Sequence, residues 1–295
     1  MSGKSSKWLV GCGIGCGVVI LLIIIIVAVG YFFVRDTVTS FKETEASMEL
    51  VEERYGRVQD FCPDPEGSIA PDRIEAFLAV RDSMAWIRDE WEQGLDDFTE
   101  EIRGIEDEEK SFWRILGIIR KGAGAIPRLA EYYTIRNHEL LDAGMGLGEY
   151  YYIYVVVYYS WLDKSPGEGP GFRLMGDDRG PGRFRWNRDE EEDERERDEE
   201  DVREERRYRI ITKVRRMVRP MMRAQLEKLE ETGIRNAWRK ALETELEAMR
   251  DDRDRLPWQD GLPEVMEVSL RPYRERLEAS YNEMLNALEL MPEEY

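Results

Sequence analysis

Residues Trp8 to Val34 form an unbroken run of 27 residues without a charge, and its centre, Val18 to Val29, is almost entirely Ile, Val and Leu. As a helix, such a run rises about 40 Å at ~1.5 Å per residue, more than the ~30 Å hydrocarbon core of a bilayer. Its ends therefore reach the headgroups, or the helix tilts. Trp8 at one end and Tyr31, Phe32 and Phe33 at the other supply the aromatic rings that favour the interface. The expected arrangement is a basic flank (1–7), a single transmembrane helix (8–34) in contact with membrane lipid, and a body on one side of the membrane.

The flanks bear on orientation. Lys4, Lys7 and the terminal amine precede the run, while Arg35 and Lys42 follow it among Asp36, Glu43 and Glu45. Counting Lys and Arg alone nearly ties. The short basic N-terminus favours a cytoplasmic N-terminus and an extracytoplasmic C-terminal body in a bacterial cell membrane. Leu9-Val10-Gly11-Cys12 has the spacing of a lipobox, but the long apolar run lies after the cysteine rather than before it. Ala28-Val29-Gly30 resembles a signal-peptidase site, yet the run exceeds a usual signal core. A retained anchor is the expectation. Gly11/Gly15 and Gly13/Gly17 have small-xxx-small spacing, which makes Gly11, Gly13, Gly15 and Gly17 the candidate face of a homodimer. Small residues are also common in membrane spans without any dimer.

With 62 acidic and 43 basic residues, the chain has a net charge of −19. That balance argues against non-specific binding of nucleic acid or anionic lipid through the bulk surface, and no nucleic-acid partner is expected. Two of the three cysteines, Cys12 and Cys16, lie inside the apolar run. Cys62 alone remains in the body, so no disulfide can form within it. Cys62 is expected to be buried, the alternative being a bridge between chains.

Helical periodicity dominates the rest. Phe41, Met48 and Tyr55, with Val51 and Val58 between them, form a stripe that suits a bundle helix better than a coiled coil. Pro71 suits the first turn of a second helix, with Asp72 and Glu75 complementing its dipole. From Phe77 through Val80, Met84, Ile87, Trp91, Leu95 and Phe98 to Ile105, apolar residues recur by threes and fours, which predicts one long amphipathic helix. Phe112 to Ile119 and Leu129 to Leu141 predict two more.

Tyr150 to Leu162 reads YYYIYVVVYYSWL. Its β-branched and aromatic content favours a strand, but a lone strand has no partner in a helical chain. Thirteen apolar residues are short for a membrane span. A buried helix is the expected state.

Residues 165–188 are Gly/Pro-rich and read as a linker or loop. They separate a first helical part (35–164) from a charged C-terminal part (189–295). From Asp189 to Asp201 almost every residue is charged, most of them acidic. An arginine run then extends from Arg203 to Arg223, with Ile211, Val214, Val218 and Met221 forming a stripe inside it. The two runs could neutralise each other within the fold, across a dimer or with a partner. Pro220 is expected to kink or divide this helix, and Gly233 to cap it. Ile234 to Met249 and Leu270 to Leu288 predict the last two helices.

The chemistry of the body is sparse. His138 is the single histidine, so zinc sites and His-based triads have no ligand set. No nucleophile elbow, dinucleotide-binding glycine loop or EF-hand loop is present. No catalytic residue, metal ligand or cofactor is expected. Core packing is the default for the tyrosine cluster; the alternative is a candidate binding groove of Tyr150, Tyr151, Tyr154, Tyr158 and Trp161, because rings all round one helix cannot share one core and aromatic residues favour interfaces.

The layout of a membrane helix followed by a helical body resembles bacterial envelope proteins such as the LemA-like ones in architecture alone, and implies no site residue. The expected fold class is all-α: one N-terminal transmembrane helix followed by a bundle-like domain of six to eight helices. The expected function is that of a non-enzymatic, membrane-anchored interaction, scaffold or sensor module of the cell envelope with a protein partner. The alternative is a helical binder of a hydrophobic small molecule or lipid through residues 150–162.

Overall fold

In the computed structural model the described residues are 42–87, 89–90, 129–168, 192–233, 236–283 and 285–290. The expected span 8–34, its glycine face, the periodic stretch beyond residue 90 and most of the Gly/Pro-rich segment lie outside them. Among the described residues no helix is long and apolar enough to cross a membrane. Every regular element among the described residues is helical, as the periodicity predicts.

Helix α1 (42–55) buries Val51 and leads into a 3₁₀ turn, Val58–Asp60. Helix α2 (Pro71–Ser83) has proline in its first turn and Asp72 beside it, because proline's missing N–H costs nothing there. It buries Ile74, Phe77, Leu78 and Val80. The chain turns at Met84, so the apolar stripe does not form the single continuous helix expected. Ser83 Oγ donates to the Val80 carbonyl at 3.0 Å, a local side-chain bond that competes with the helical ladder.

Helix α3 (129–142) is followed by α4 (Leu147–Tyr154), which continues as a π-helix, Val155–Trp161. The Leu162 N–H reaches back five residues to the Val157 carbonyl at 2.9 Å. Ser160 Oγ, bonded to the Val155 carbonyl at 3.2 Å, also donates to the Pro257 carbonyl at 2.6 Å. Strand propensity loses here because residues 150–159 are buried all round, where rings on every side of a helix find apolar contacts. Gly148 permits the close approach at its start, since a Cβ there would meet the Val58 carbonyl oxygen at 2.5 Å.

Helix α5 (Glu192–Glu231) runs undivided through Pro220, contrary to a division there. Proline removes one intrahelical bond, to the carbonyl four residues back, while Val218, Met221 and Met222 on the buried side hold the helix to the core. Gly233 ends it with φ +71°, a conformation glycine adopts without steric cost. In α6 (Ala237–Asp251) the Asn236 side chain caps the first turn by accepting the Arg239 N–H at 2.9 Å.

The expected helix from Leu270 to Leu288 is instead a series of short pieces: α7 (Glu264–Leu270), a 3₁₀ turn (Arg271–Tyr273), α8 (Arg274–Ala279) and α9 (Asn286–Glu289). Pro272 cannot donate to the ladder. Beyond Ala279 the chain leaves the helix, which frees backbone carbonyls for other donors.

Candidate functional site

The tyrosines nominated by the sequence lie in the interior, not along an open face. Tyr150, Tyr151, Tyr154 and Tyr158, with Tyr152 and Tyr159, are all buried; Trp161 is half-buried, with the Arg274 guanidinium 5.1 Å from its ring centre. The rings pack on one another, as in the edge-on pair Tyr154–Tyr158 at 4.7 Å, and on Phe77, 5.2 Å from Tyr150.

At their centre stands Arg81 of α2, fully enclosed and ion-paired with the equally enclosed Glu289 of α9. The Arg81 Nε and Nη2 both donate to the Ser280 carbonyl, at 3.2 and 2.6 Å. That carbonyl is available because α8 ends one residue earlier. Nη1 also donates to the Tyr150 hydroxyl at 3.2 Å, and that hydroxyl donates to Glu289 Oε2 at 3.1 Å. The guanidinium lies 5.5 and 5.6 Å from the ring centres of Tyr154 and Tyr158, within range for a cation–π contribution. Burial works against the charge on Arg81, but the surrounding tyrosines hold its pKa well above the ordinary value.

Asn286 organises the adjoining hydroxyls. Its Oδ1 accepts from Tyr154 at 3.0 Å and from Tyr159 at 2.8 Å. In an α-helix residues five apart diverge by about 140°; the π-helix, with its i→i+5 bonds, brings them to one side. The Asn286 amide donates in turn to the Ser165 carbonyl at 3.2 Å. The Tyr158 hydroxyl is hydrogen-bonded to the Ser280 hydroxyl at 2.7 Å. A ligand on this face would have to displace these partners.

Arg136, Arg215 and Glu245 are further charged groups built into the interior. Arg215 of α5 donates to the backbone carbonyls of Met249, Asp252 and Arg255, placing a cation at the C-terminal end of α6, where the helix dipole favours one. Glu245 of α6 accepts from Arg255 through both oxygens, at 3.0 and 2.9 Å, and from the Trp258 N–H at 2.9 Å.

The outer side of α5 carries a different feature. A cleft of about 290 Å³ is lined by Thr212, Arg215, Arg216, Arg219, Pro220 and Arg223. Arg216 and Arg223 are exposed and Arg219 is half-buried. Burial first, and then the positive charges of Arg223, Arg215 and Arg250, lower the Arg219 pKa.

His138 is exposed, and Cys62 is half-buried with a free thiol, not fully buried as expected. Among the described residues no cluster of three His, Cys, Asp or Glu side chains is arranged to hold a metal ion. The sequence reading missed Arg81, Arg136, Arg215, Glu245, Asn286 and Glu289 as interior groups. The available signal was position: Arg81 falls between Phe77 and Met84 on the apolar face of its helix.

No family model matches this chain, nor does any curated protein or solved structure.

Proposed function

We propose that the chain is a single-pass, membrane-anchored helical module without catalytic activity, which presents its body to a protein partner on the extracytoplasmic side. The charge-free run Trp8–Val34 supports the anchor. The observation that carries the non-enzymatic reading is how the interior uses its polar groups. Arg81, Glu289, Tyr150 and Asn286 are bonded to one another or to backbone in a closed interior network. Acid–base chemistry needs a group within reach of a substrate proton. His138 stands on the surface.

A photo-crosslinking amino acid at exposed Trp86 or Tyr208 in the full chain, expressed in cells, tests this. The expected result is a discrete adduct with another protein in the membrane fraction that resists alkaline carbonate extraction. Release of the chain by carbonate would contradict the anchor, and the absence of any adduct from both positions would contradict the interaction module.

A further inference from the structure

We infer that the cleft on the outer side of α5 is a binding site for an anion carrying two or more phosphate groups, gripped by Arg216, Arg219 and Arg223. The inference goes beyond the proposed function and does not depend on it. It starts from an imbalance. Many arginines elsewhere on the surface are matched by carboxylates, as in Arg209–Glu205 at 3.1 Å, Arg239–Glu243 at 2.8 Å and Arg276–Glu75 at 2.9 Å. Among the described residues, Arg216, Arg219 and Arg223 have no such ion pair, although the chain carries a net charge of −19. In so acidic a protein, a cleft lined by guanidinium groups without carboxylates is a local inversion of the prevailing charge.

The second observation is a missing acceptor. The Nε of Arg219 is closed off from solvent and has no hydrogen-bond partner. A buried donor in that state costs free energy, which an acceptor in the cleft would recover once this half-buried side chain turns toward it. The neighbouring cations already depress the Arg219 pKa, so an anion in the cleft would relieve their mutual repulsion.

Geometry selects the class of anion. Positions 212, 215, 216, 219 and 223 lie along one face of α5, and Arg216 to Arg223 spans about 10 Å of helix axis at ~1.5 Å per residue. A single carboxylate meets one guanidinium. An anion with several phosphates can meet the row, and the planar guanidinium fork matches phosphate oxygens in pairs. Arg215 is committed to the α6 carbonyls and serves as a fixed positive floor. The cleft of about 290 Å³ has room for more than one phosphate group. The ligand is either soluble, such as an oligophosphate, or the headgroup of a lipid with two phosphates.

The test uses the full chain in nanodiscs of phosphatidylcholine, with hydrogen exchange of residues 212–223 as the readout. Tripolyphosphate is titrated in solution; in a parallel sample cardiolipin is included in the disc. The comparison proteins are R216Q/R219Q/R223Q and R216Q/R223Q, the latter restricted to exposed side chains so that folding is not at issue. Protection by tripolyphosphate that weakens about tenfold or more in both variants supports a soluble ligand. Protection only with cardiolipin, lost in both variants, supports the headgroup. No protection in either sample, or protection unchanged in the variants, overturns the site. Protection that appears without phosphate, together with a doubled mass at low salt, overturns it in favour of a second copy of the chain in the cleft.

Discussion

Arg81 and Glu289 lie 208 positions apart in sequence and form an ion pair with both side chains only 1% exposed. The pair ties α2 to the last short helix, and through Tyr150 to α4. Removing one member leaves a buried charge without its counterion, which costs about 3–5 kcal/mol, whereas replacing both with apolar side chains can be close to neutral. Arg81→Met and Glu289→Leu are each expected to destabilise the body by that amount, and the double variant by less than either. Urea unfolding of the full chain in detergent, followed by circular dichroism, measures this. Additive losses in the double variant would show that the two groups are not coupled.

Asn286 is the common acceptor of Tyr154 and Tyr159. Asn286→Leu strands two buried hydroxyls at once, at about 1–3 kcal/mol each. Tyr154→Phe and Tyr159→Phe remove a donor without stranding an acceptor that has another bond. The asparagine substitution is therefore expected to cost more than either tyrosine substitution in the same unfolding measurement.

Burial pushes the Tyr154 and Tyr159 hydroxyls well above the ordinary tyrosine pKa of 10.0. A group whose folded pKa is raised contributes stability that is complete below its unfolded pKa and is lost as pH rises toward the folded value. Stability is expected to fall as pH climbs above about 10. The tyrosinate absorbance of these residues should then appear together with loss of the helical signal. Complete ionisation of all 14 tyrosines near pH 10 with the helical signal intact would contradict their burial.

Gly67 adopts φ +81°, and a Cβ there would meet the Trp238 ring at 2.4 Å. Gly67→Ala combines backbone strain with overpacking against Trp238, whose ring lies tilted, 5.5 Å from that of Trp258. The expected loss is about 2–4 kcal/mol, read as a lowered melting temperature. A change in Trp fluorescence should accompany it.

Apolar periodicity made much of this fold legible. Pro71 at a helix start, Gly233 at a helix end and the stripe Ile211–Val214–Val218 are local signals, and local physics decides them. The charged interior was less visible, because composition marks Arg as a surface residue. Yet Arg81 lies at core spacing between Phe77 and Met84, Arg136 between Tyr132 and Leu140, and Arg215 between Ile211 and Val218. An arginine that interrupts an apolar stripe in register is a readable sign of a buried cation. Its partner, Glu289 or the carbonyls at the end of α6, is set by tertiary packing and has no local signature. The same holds for the break after Ala279, where the Ser280 carbonyl serves Arg81. The π-helix at Val155–Trp161 was equally hidden, since strand-favouring residues there say nothing of an i→i+5 bond. The arginine cleft was half visible: the run Arg203–Arg223 is plain in the sequence, but only the fold separates the inward Arg215 from the outward Arg216, Arg219 and Arg223.

The most direct test of the proposed membrane-anchored module is its topology, measured with reporters fused after Lys164 and after Tyr295 in the full chain. Extracytoplasmic signals from both fusions are the predicted result. Cytoplasmic signals from both would contradict the proposed orientation, and opposite signals from the two would contradict a single span.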